Sequence, residues 1–306
     1  MADPEGVPFT WLRSLFARDA LRGHAVAFPV RVSPEAPLDS EQSGLFAEPN
    51  GVAGAVAASN LSEQARTYLT AIGLPDANID RAVAELVWLH ALAIGYSPSY
   101  IAEHADGIRQ NWPRIPLPAT RDALQALAEL GRVVAALLDT ETPVPGVTTG
   151  KIRNELQPVA VISRKGGGAL QPGEFKLTAG WGHAGKAAAT MPGKGKTEPR
   201  AANVDELDPH LTGTHASSKT LDVFLNTTAY WKNVPVPVWE FTIGGYQVMK
   251  KWLSYREFDL LGRALSLDEI KEVSAMARRL AALVLLQPAL DDNYHAVTSA
   301  TYAWPS

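Results

Sequence analysis

The chain has 306 residues, 46% of them hydrophobic and 20% charged, with a net charge of −4 and no cysteine. These values predict a globular protein of one large domain or two ordinary ones, and they exclude disulfides, thiolate metal sites and cysteine nucleophiles. Because the sequence has neither a secretory signal at its start nor an apolar run of roughly 18 residues, we expect a cytoplasmic protein without a membrane span.

The net charge conceals an asymmetry along the chain. Residues 1–150 contain 10 Lys and Arg against 17 Asp and Glu, a net charge of −7, whereas residues 151–256 contain 14 against 8, a net charge of +6. Residues 257–306 return to −3, with 4 basic against 7 acidic residues. A basic centre between acidic ends can attract phosphate, because the local field governs association. The alternative is that these charges are only solvated surface.

The N-terminal half is predicted to be an extension over residues 1–58 followed by a helical support subdomain over residues 59–139. In the extension, Trp11–Phe16 suggests a short helix, Ala25–Val32 an edge strand and Pro34–Val52 a loop. Apolar residues then recur at helical spacing, and capping residues mark the helix starts. The predicted helices run from the N-cap Asn60 to Ile72, along Val83–Ile94, from the cap Ser97 to the prolines that begin at Pro113, and along Leu124–Leu138.

Residues 140–306 are predicted to be a β-rich subdomain with a C-terminal helix. From Thr140 the chain is rich in Gly, Pro, Thr and Lys, a composition typical of short strands and connecting loops. Ser266 with Glu269 forms a capping box that opens a long helix reaching Val284. The β-like runs are Val159–Ser163, Glu174–Gly180, Leu221–Leu225 and Val238–Ile243, joined by glycine- and lysine-rich loops that include residues 164–168 and 193–196. The predicted fold class is α+β, with a helical N-terminal half packed on a β-rich, basic region that the C-terminal helix closes.

Common catalytic and cofactor motifs are absent from the sequence. It has no Gly-x-x-x-x-Gly-Lys-Ser/Thr phosphate loop, no Gly-x-Gly-x-x-Gly at a strand–helix junction, no Gly-x-Ser-x-Gly and no His-Glu-x-x-His. The Asn/Asp-Pro-Pro-Tyr/Phe tetrapeptide of an amino-methyltransferase is also missing. We therefore predict no catalytic residue and no cofactor.

The histidines and paired aspartates give little support for a metal site. His210 and His215 lie near Asp208, but their spacing matches no common metal site and a polar loop accounts for both. His90 falls on the apolar face of a predicted helix, which favours a hydrogen-bonded core histidine. The pair Asp291-Asp292 is predicted to lie just beyond a helix C-terminus, in a solvated turn.

The strongest local signal is the segment Val238–Arg256. A predicted strand enters Gly244-Gly245, and a short helix over Tyr246–Leu253 follows with polar and basic side chains near its exposed turns. Glutamine can pair with adenine, lysine and arginine can reach guanine or phosphate, and glycine lets the backbone approach a ligand. The alternative is a structural corner whose aromatic residues are core and whose lysines face solvent.

Several motifs together resemble the C-terminal specificity region of type ISP restriction–modification enzymes. They are the Gly-Gly-Tyr-Gln-Val-x-Lys-Lys-Trp-Leu-x-x-Arg pattern of Gly244–Arg256 and the segments Tyr230–Glu240, Tyr96–Tyr100 and Trp112–Leu117. They occur in the order expected of the family, although Gly95-Tyr96 stands where a histidine is usual. The resemblance runs, with gaps, from about Asn60 to Ala289.

The resemblance implies a target-recognition domain that reads a short asymmetric DNA site in an adenine-methylating system. In such enzymes a nuclease, a helicase-like ATPase and an adenine methyltransferase share one polypeptide with this region. None of those parts is present, so the chain is either a fragment or a separate specificity protein. Duplex DNA is the expected partner, together with methyltransferase, helicase or nuclease domains or subunits. Two alternatives stay open: a docking module for a separate methyltransferase or translocase subunit, and a fragment of an S-adenosylmethionine-dependent DNA methyltransferase.

On this interpretation the DNA-contacting residues lie in the basic middle of the chain. Those expected near bases are Tyr246, Gln247, Lys250, Lys251 and Arg256, and those expected at phosphates are Arg164, Lys165, Lys176, Lys186, Lys194 and Lys196. Val248 and Trp252, four positions apart, are predicted to face inward on the short helix, and Trp239 is predicted to be structural like Trp252. No metal-binding residue is predicted.

Overall fold

The computed structural model of the protein describes residues 10–11, 28–32, 57–110, 113–186, 189–201, 208–212 and 219–305. The helices are α1 (Glu63–Ala71), α2 (Arg81–Gly95), α3 (Pro98–Glu103), α4 (Ala105–Gln110), α5 (Arg121–Leu138), α6 (Pro209–Thr212), α7 (Val236–Trp239), α8 (Val248–Ser254), α9 (Phe258–Leu261) and α10 (Leu267–Ser299). The strands are β1 (Arg31–Val32), β2 (Ala58–Ser59), β3 (Val161–Arg164), β4 (Gly182–Ala184), β5 (Thr190–Pro192), β6 (Thr197–Ala201), β7 (Lys219–Phe224), β8 (Ala229–Pro235), β9 (Thr242–Ile243) and β10 (Tyr246–Gln247). Helices and antiparallel strands occur together, so the predicted α+β class is confirmed.

The predicted helices are present between Glu63 and Leu138, but the first one begins later than expected. Its N-cap is Ser62, whose hydroxyl accepts a hydrogen bond from the Ala65 N–H at 3.2 Å. The predicted cap Asn60 is therefore wrong. Asn60 instead donates its side-chain amide to the Pro29 carbonyl at 2.8 Å. The short helix α4 follows α3 before the prolines that begin at Pro113.

Helices α2 and α5 pack closely where α5 contains a glycine. A Cβ added at Gly131 would lie 1.9 Å from the carbonyl oxygen of Leu89, so only glycine permits this approach. Next to it, His90 is fully buried, and its Nε2 lies 2.8 Å from the Pro116 carbonyl oxygen. Burial lowers the pKa of His90 to about 4, so the ring is neutral at pH 7 and Nε2–H donates to Pro116. The prediction of a core histidine is confirmed.

The β-rich part is built on a four-stranded antiparallel sheet of order β3-β8-β7-β6, with β4–β5 and β9–β10 as separate hairpins. The runs at 159–163 and 221–225 correspond to β3 and β7, but two other predicted strands are wrong. Residues 174–180 form the end of a 3-10 helix, Pro172–Phe175, and then an irregular segment outside any strand, because Pro172 and the bond from the Gln171 N–H to Glu174 (2.9 Å) start a helical turn. The run at 238–243 is split between α7 and β9, because an apolar run of this length fits a helix as well as a strand.

The long helix α10 closes the fold. The predicted capping box is present: the Ser266 hydroxyl accepts from the Glu269 N–H at 3.1 Å, and the Glu269 carboxylate accepts from the Ser266 N–H at 2.8 Å. Among the described residues, α10 is long and apolar enough to cross a membrane, but half of that apolar window is buried inside the protein, as in a core helix. Its contacts with α3, α5 and α7 join the helical and β-rich parts.

Helix α10 also extends further than predicted, so Asp291 does not lie in a turn beyond it. The Asp291 carboxylate accepts hydrogen bonds from the Ser97 hydroxyl (2.6 Å) and the Ser99 N–H (2.9 Å). The negative charge therefore stabilises the N-terminus of α3. Pro288 is contained within α10 without ending it.

The N-terminal extension is described only in part. Arg31–Val32 lies at the end of the predicted strand and pairs with Ala58–Ser59. The predicted helix over Trp11–Phe16, apart from Trp11, and the predicted loop Pro34–Val52 lie outside the described residues. The division of the chain at residue 140 stays a prediction.

Candidate nucleic-acid interface

One face of the four-stranded sheet packs on the core, and the other carries aromatic and basic side chains. On β8, Trp231 is buried and donates its Nε1–H to the Ile270 carbonyl of α10 at 3.3 Å. The neighbouring Tyr230 and Lys232 point to the opposite face, as strand alternation requires. The Tyr230 ring stacks on Phe224 of β7 with centroids 5.3 Å apart, and the Lys196 ammonium covers Phe224 at 4.2 Å from the ring centroid. The outer face is thus aromatic and cationic.

A shallow cleft of about 490 Å³ opens on this face. Its lining residues are Ile162, Ser163, Arg164, Gly166, Gly167, Gly168, Arg200, Tyr230 and Lys232. Arg164 was predicted from the sequence, whereas Arg200, Tyr230 and Lys232 were not. The alternation in Tyr230-Trp231-Lys232 could have assigned two of them to one face, but Arg200 carries no such signal because its position depends on strand pairing.

Arg200 is held by a buried carboxylate on the adjacent strand. Its Nε donates to Oδ1 of Asp222 at 2.9 Å and its Nη2 to Oδ2 at 2.6 Å, a contact that raises the pKa of Arg200. The β7–β8 register shifts between Leu221 and Val223, so Asp222 stands at a bulge. Opposite it, Asn233 adopts a φ of 65° and donates its N–H to Asp222 at 3.2 Å. Bulges of this kind redirect a side chain, and here the side chain is the one that orients Arg200.

Arginines and lysines of residues 151–256 differ in their partners. Each of the four arginines forms an ion pair: Arg153 with Glu155 (3.3 Å), Arg164 with Glu174 (2.9 Å), Arg200 with Asp222 (2.6 Å) and Arg256 with Glu269 (3.7 Å). Of the ten lysines, only Lys196 is ion-paired with a described residue, Glu198 at 3.0 Å. The uncompensated positive charge of the region is therefore carried mainly by lysine.

The Gly244-Gly245 segment is a hairpin turn followed by a helix that starts later than predicted. Both glycines have positive φ, 56° and 82°, as a type I′ turn between β9 and β10 requires. Tyr246 and Gln247 are consequently strand residues, and α8 begins at Val248.

The inward face of α8 also differs from the prediction. Met249 and Leu253 are buried, whereas Val248 and Trp252 are only partly buried. Trp252 donates its Nε1–H to Glu272 at 2.9 Å, and the Arg256 guanidinium stacks 3.9 Å from its ring centroid. Trp239 packs edge-on against Trp181 with centroids 5.2 Å apart, which fits the predicted structural role.

The residues expected near bases lie in or beside this hairpin and helix, and their side chains differ in how accessible they are. The Lys251 ammonium stands between the exposed rings of Tyr246 (4.4 Å) and Tyr255 (4.7 Å). Lys250 is partly exposed and has no ion-pair partner among the described residues. Gln247 donates a long hydrogen bond of 3.4 Å to the Trp239 carbonyl, and Arg256 is engaged by Trp252 and Glu269. Tyr246, Lys250 and Lys251 are therefore the accessible members of the set.

The residues expected at phosphates are spread over several surfaces. Lys165, Lys176, Lys186, Lys194 and Lys196 are exposed, whereas Arg164 is partly buried. The ammonium of Lys176 lies 4.8 Å from the Phe258 ring centroid. Lys186 belongs to the β4–β5 connection, and the β4–β5 hairpin packs on α8.

The loop that carries Lys194 and Lys196 is fixed at both glycines. Gly193 donates its N–H to the Trp181 carbonyl at 2.6 Å, and Gly195 donates to the Gly180 carbonyl at 2.9 Å. A Cβ at Gly195 would lie 2.0 Å from the Trp181 ring, so this glycine allows the loop to pack flat on the indole. Glycine therefore serves close packing in this loop.

Metal binding finds no support in the part of the chain that the structure describes, where no cluster of acidic and histidine side chains could hold an ion. Asp208 accepts the N–H of His210 at 2.9 Å and thus serves a local turn. His215 lies outside the described residues.

Comparison with protein families shows to which family the chain belongs. The family model of the Type ISP C-terminal specificity domain matches residues 9–283 of the 306-residue chain. The chain belongs to this family. No curated protein and no solved structure is significantly similar to it.

Membership implies target recognition within a restriction–modification enzyme. The match confirms the resemblance stated from the motifs. It begins at residue 9, so it includes most of the segment predicted to be an extension, and it ends within α10 of the specificity domain.

Proposed function

We propose that this specificity domain binds duplex DNA and recognises the target site of an adenine-methylating restriction–modification system. The observation that carries the proposal is the division of charge between lysine and arginine in residues 151–256. Lysines without an ion pair to any described residue retain the full charge that attracts phosphate, whereas ion-paired arginines retain directed N–H donors in fixed positions. A DNA reader needs both kinds of contact, since phosphate contacts position the protein and base contacts specify the sequence.

Two neighbouring surfaces supply these contacts in the proposal. The first is the outer sheet face with its cleft, where Lys232 reaches phosphate and Tyr230 offers a stacked aromatic surface. The second is the β9–β10 turn with α8, where Tyr246, Lys250 and Lys251 are accessible. Lys165, Lys176, Lys186, Lys194 and Lys196, which are exposed on several surfaces, bind phosphates in this proposal.

The domain acts without catalytic residues or a cofactor in this proposal. Methyl transfer, translocation and cleavage belong to other domains or subunits of the system, which are its protein partners. Its site of action is the cytoplasm, where the DNA is.

A docking role for the helical half is the second candidate, favoured by the net charge of −7 in residues 1–150. Acidic surface repels DNA and suits contact with a basic partner domain. Ile79, 84% exposed between α1 and α2, offers an apolar contact for such a partner. This role is compatible with DNA binding by the β-rich part.

Equilibrium binding of the purified chain to duplex DNA over a salt series tests the proposal. If about five phosphates are neutralised, log K falls against log salt with a slope of roughly −4 to −5. Absence of binding at low salt, or a slope near zero, contradicts DNA binding. Capture of a methyltransferase or translocase subunit without DNA binding would favour the docking role.

A further inference from the structure

We infer that Arg200 is a specificity-determining residue that reads a guanine, with Asp222 as the residue that positions it. The inference rests on the proposed DNA-binding function and assigns a base contact to the sheet cleft, which the sequence motifs do not indicate.

The orientation of Arg200 is set by groups that cannot easily move. The Asp222 side chain is 11% exposed and binds Arg200 through both carboxylate oxygens, at 2.9 and 2.6 Å. Asp222 is itself fixed by the Asn233 N–H at 3.2 Å. The Asn233 amide in turn donates to the Pro158 carbonyl at 3.1 Å. Arg200 is thus a rigid fork, although it lies on the edge strand β6.

Asp222 occupies only one edge of the guanidinium group, formed by Nε and Nη2. The other edge, formed by Nη1 and the outer N–H of Nη2, carries two parallel donors. Among the described residues, Tyr230 also hydrogen-bonds Arg200; of the five guanidinium N–H groups, Asp222 accepts from two and Tyr230 from one, so two remain, and both Arg200 and Tyr230 line the cleft. Two parallel donors match O6 and N7 of guanine in the major groove. The Tyr230 hydroxyl can accept from Arg200 while donating to the same base.

Charge balance favours guanine over phosphate at this position. Asp222 neutralises Arg200, so the pair has little net attraction for an anion but keeps its directed donors. A phosphate contact is better made by an uncompensated cation, and Lys232 in the same cleft has no ion-pair partner in the described ranges. The cleft therefore contains an arginine, Arg200, whose charge is neutralised and whose donors are oriented, and a lysine, Lys232, whose charge is not compensated by any described residue. In the proposal, Arg200 contacts a base and Lys232 contacts a phosphate.

Selection from a pool of duplexes with a randomised central segment tests the inference on the full chain. The wild type is expected to enrich a site with at least one required guanine. Arg200→Ala should weaken binding to that site about 10- to 100-fold and remove the preference at that guanine, while binding to the unselected pool changes little. Arg200→Lys, which keeps the charge but not the fork, should also lose the preference. Asp222→Asn should relax it partially.

Replacing the required guanine by 7-deazaguanine, which lacks the N7 acceptor, makes the test specific to the proposed contact. The substitution should weaken the wild type several-fold and leave Arg200→Ala unaffected. Arg153→Ala, which breaks the Arg153–Glu155 pair outside the cleft, is the matched control and should keep the full preference. Lys232→Ala should weaken all sequences alike.

The outcomes separate the two proposals. If the wild type binds no duplex, DNA binding itself is overturned. If the wild type binds but requires no guanine, or if Arg200→Ala and Arg200→Lys retain the preference or weaken all sequences equally, only the reading role of Arg200 is overturned. Thermal unfolding of each variant identifies losses caused by misfolding, and the Arg200→Lys result then decides.

Discussion

Ion pairs are built differently in the helical part, residues 59–139, and in the β-rich part, residues 140–306. In the helical part, Arg81–Glu85 (2.8 Å) and Arg132–Glu129 (3.1 Å) each join neighbouring turns of one helix, and a longer Arg132–Glu85 contact (3.8 Å) links α5 to α2. In the β-rich part, Arg164–Glu174 and Arg200–Asp222 join residues 10 and 22 positions apart, and their carboxylates are largely buried. Local surface pairs contribute only a few tenths of a kcal/mol. The long-range pairs instead fix the direction of a guanidinium group at the cleft.

In the proposed function, the helical part is a scaffold and the β-rich part carries the recognition surface. Helix α10 of the β-rich part packs on the helical part, where the buried Arg279 donates to the carbonyls of Ala136 and Leu137 at 2.9 and 3.2 Å, and it also donates to Thr142 at 2.6 Å. Changes in the scaffold should therefore alter the stability of the fold but not the DNA sequence preference. Changes on the recognition surface should do the reverse.

The largest effect is expected from Gly131→Ala in the scaffold. The added Cβ would lie 1.9 Å from the Leu89 carbonyl oxygen, so α2 and α5 must separate, at a cost of about 3 kcal/mol in the free energy of unfolding. Urea denaturation measures it. Gly107→Ala in α4, where the added Cβ meets no atom within 4 Å, is the control and should stabilise by roughly 0.5–1 kcal/mol. Equal effects of the two substitutions would contradict close packing of α2 on α5.

The next effect is a pH dependence of stability from His90. Its pKa is about 4 in the folded protein, below the ordinary value of 6.5, because burial disfavours the charged ring. The unfolded chain therefore binds a proton that the folded chain does not, and stability is lost as the pH falls from 6.5 towards 4. Between pH 7 and pH 5 the free energy of unfolding should fall by roughly 2 kcal/mol from this group.

His90→Gln separates this contribution from the other titrating groups. Glutamine can still donate to the Pro116 carbonyl but does not titrate, so the difference in stability between pH 7 and pH 5 should shrink by the amount assigned to His90. Denaturation curves of both proteins at the two pH values give the comparison. An unchanged pH dependence in the variant would mean that His90 is already accessible to protons in the folded state.

The same division governs how much could be predicted from the sequence. Helices α2, α3 and α5 and the Ser266 capping box depend on local periodicity and caps, which a sequence displays directly. The orientation of Arg200 depends on a bulge at Asp222 and on pairing between residues 22 positions apart, which no local pattern records. Helix α7 was misread as strand because its apolar run had no period to distinguish the two. The turn at Gly244-Gly245 and the helix after it could be predicted because paired glycines and basic residues are local features of the sequence. The predicted helix nevertheless starts two residues before α8 does.

The smallest effects are expected from single lysines of the recognition surface, one proposed to contact a base and one proposed to contact a phosphate. Lys250→Ala, on the accessible helix α8, should cost about 1–2 kcal/mol on the selected site and relax the preference at one base pair. Binding to the unselected pool should change less. If the loss is equal for all sequences, Lys250 contacts phosphate and the reading surface lies in the sheet cleft alone.

Lys194→Ala should instead weaken binding to every sequence alike. Lys194 is exposed, has no ion pair with any described residue, and stands on a loop that Gly193 and Gly195 fix to the backbone around Trp181. A fixed, uncompensated charge favours one phosphate contact, so its loss should make the slope of log K against log salt shallower by about one. Arg121→Ala, an exposed and unpaired cation of the scaffold within the described ranges, is the control and should leave the slope unchanged. A change in sequence preference from Lys194→Ala, or an equal change in slope from Arg121→Ala, would remove the distinction between scaffold and recognition surface.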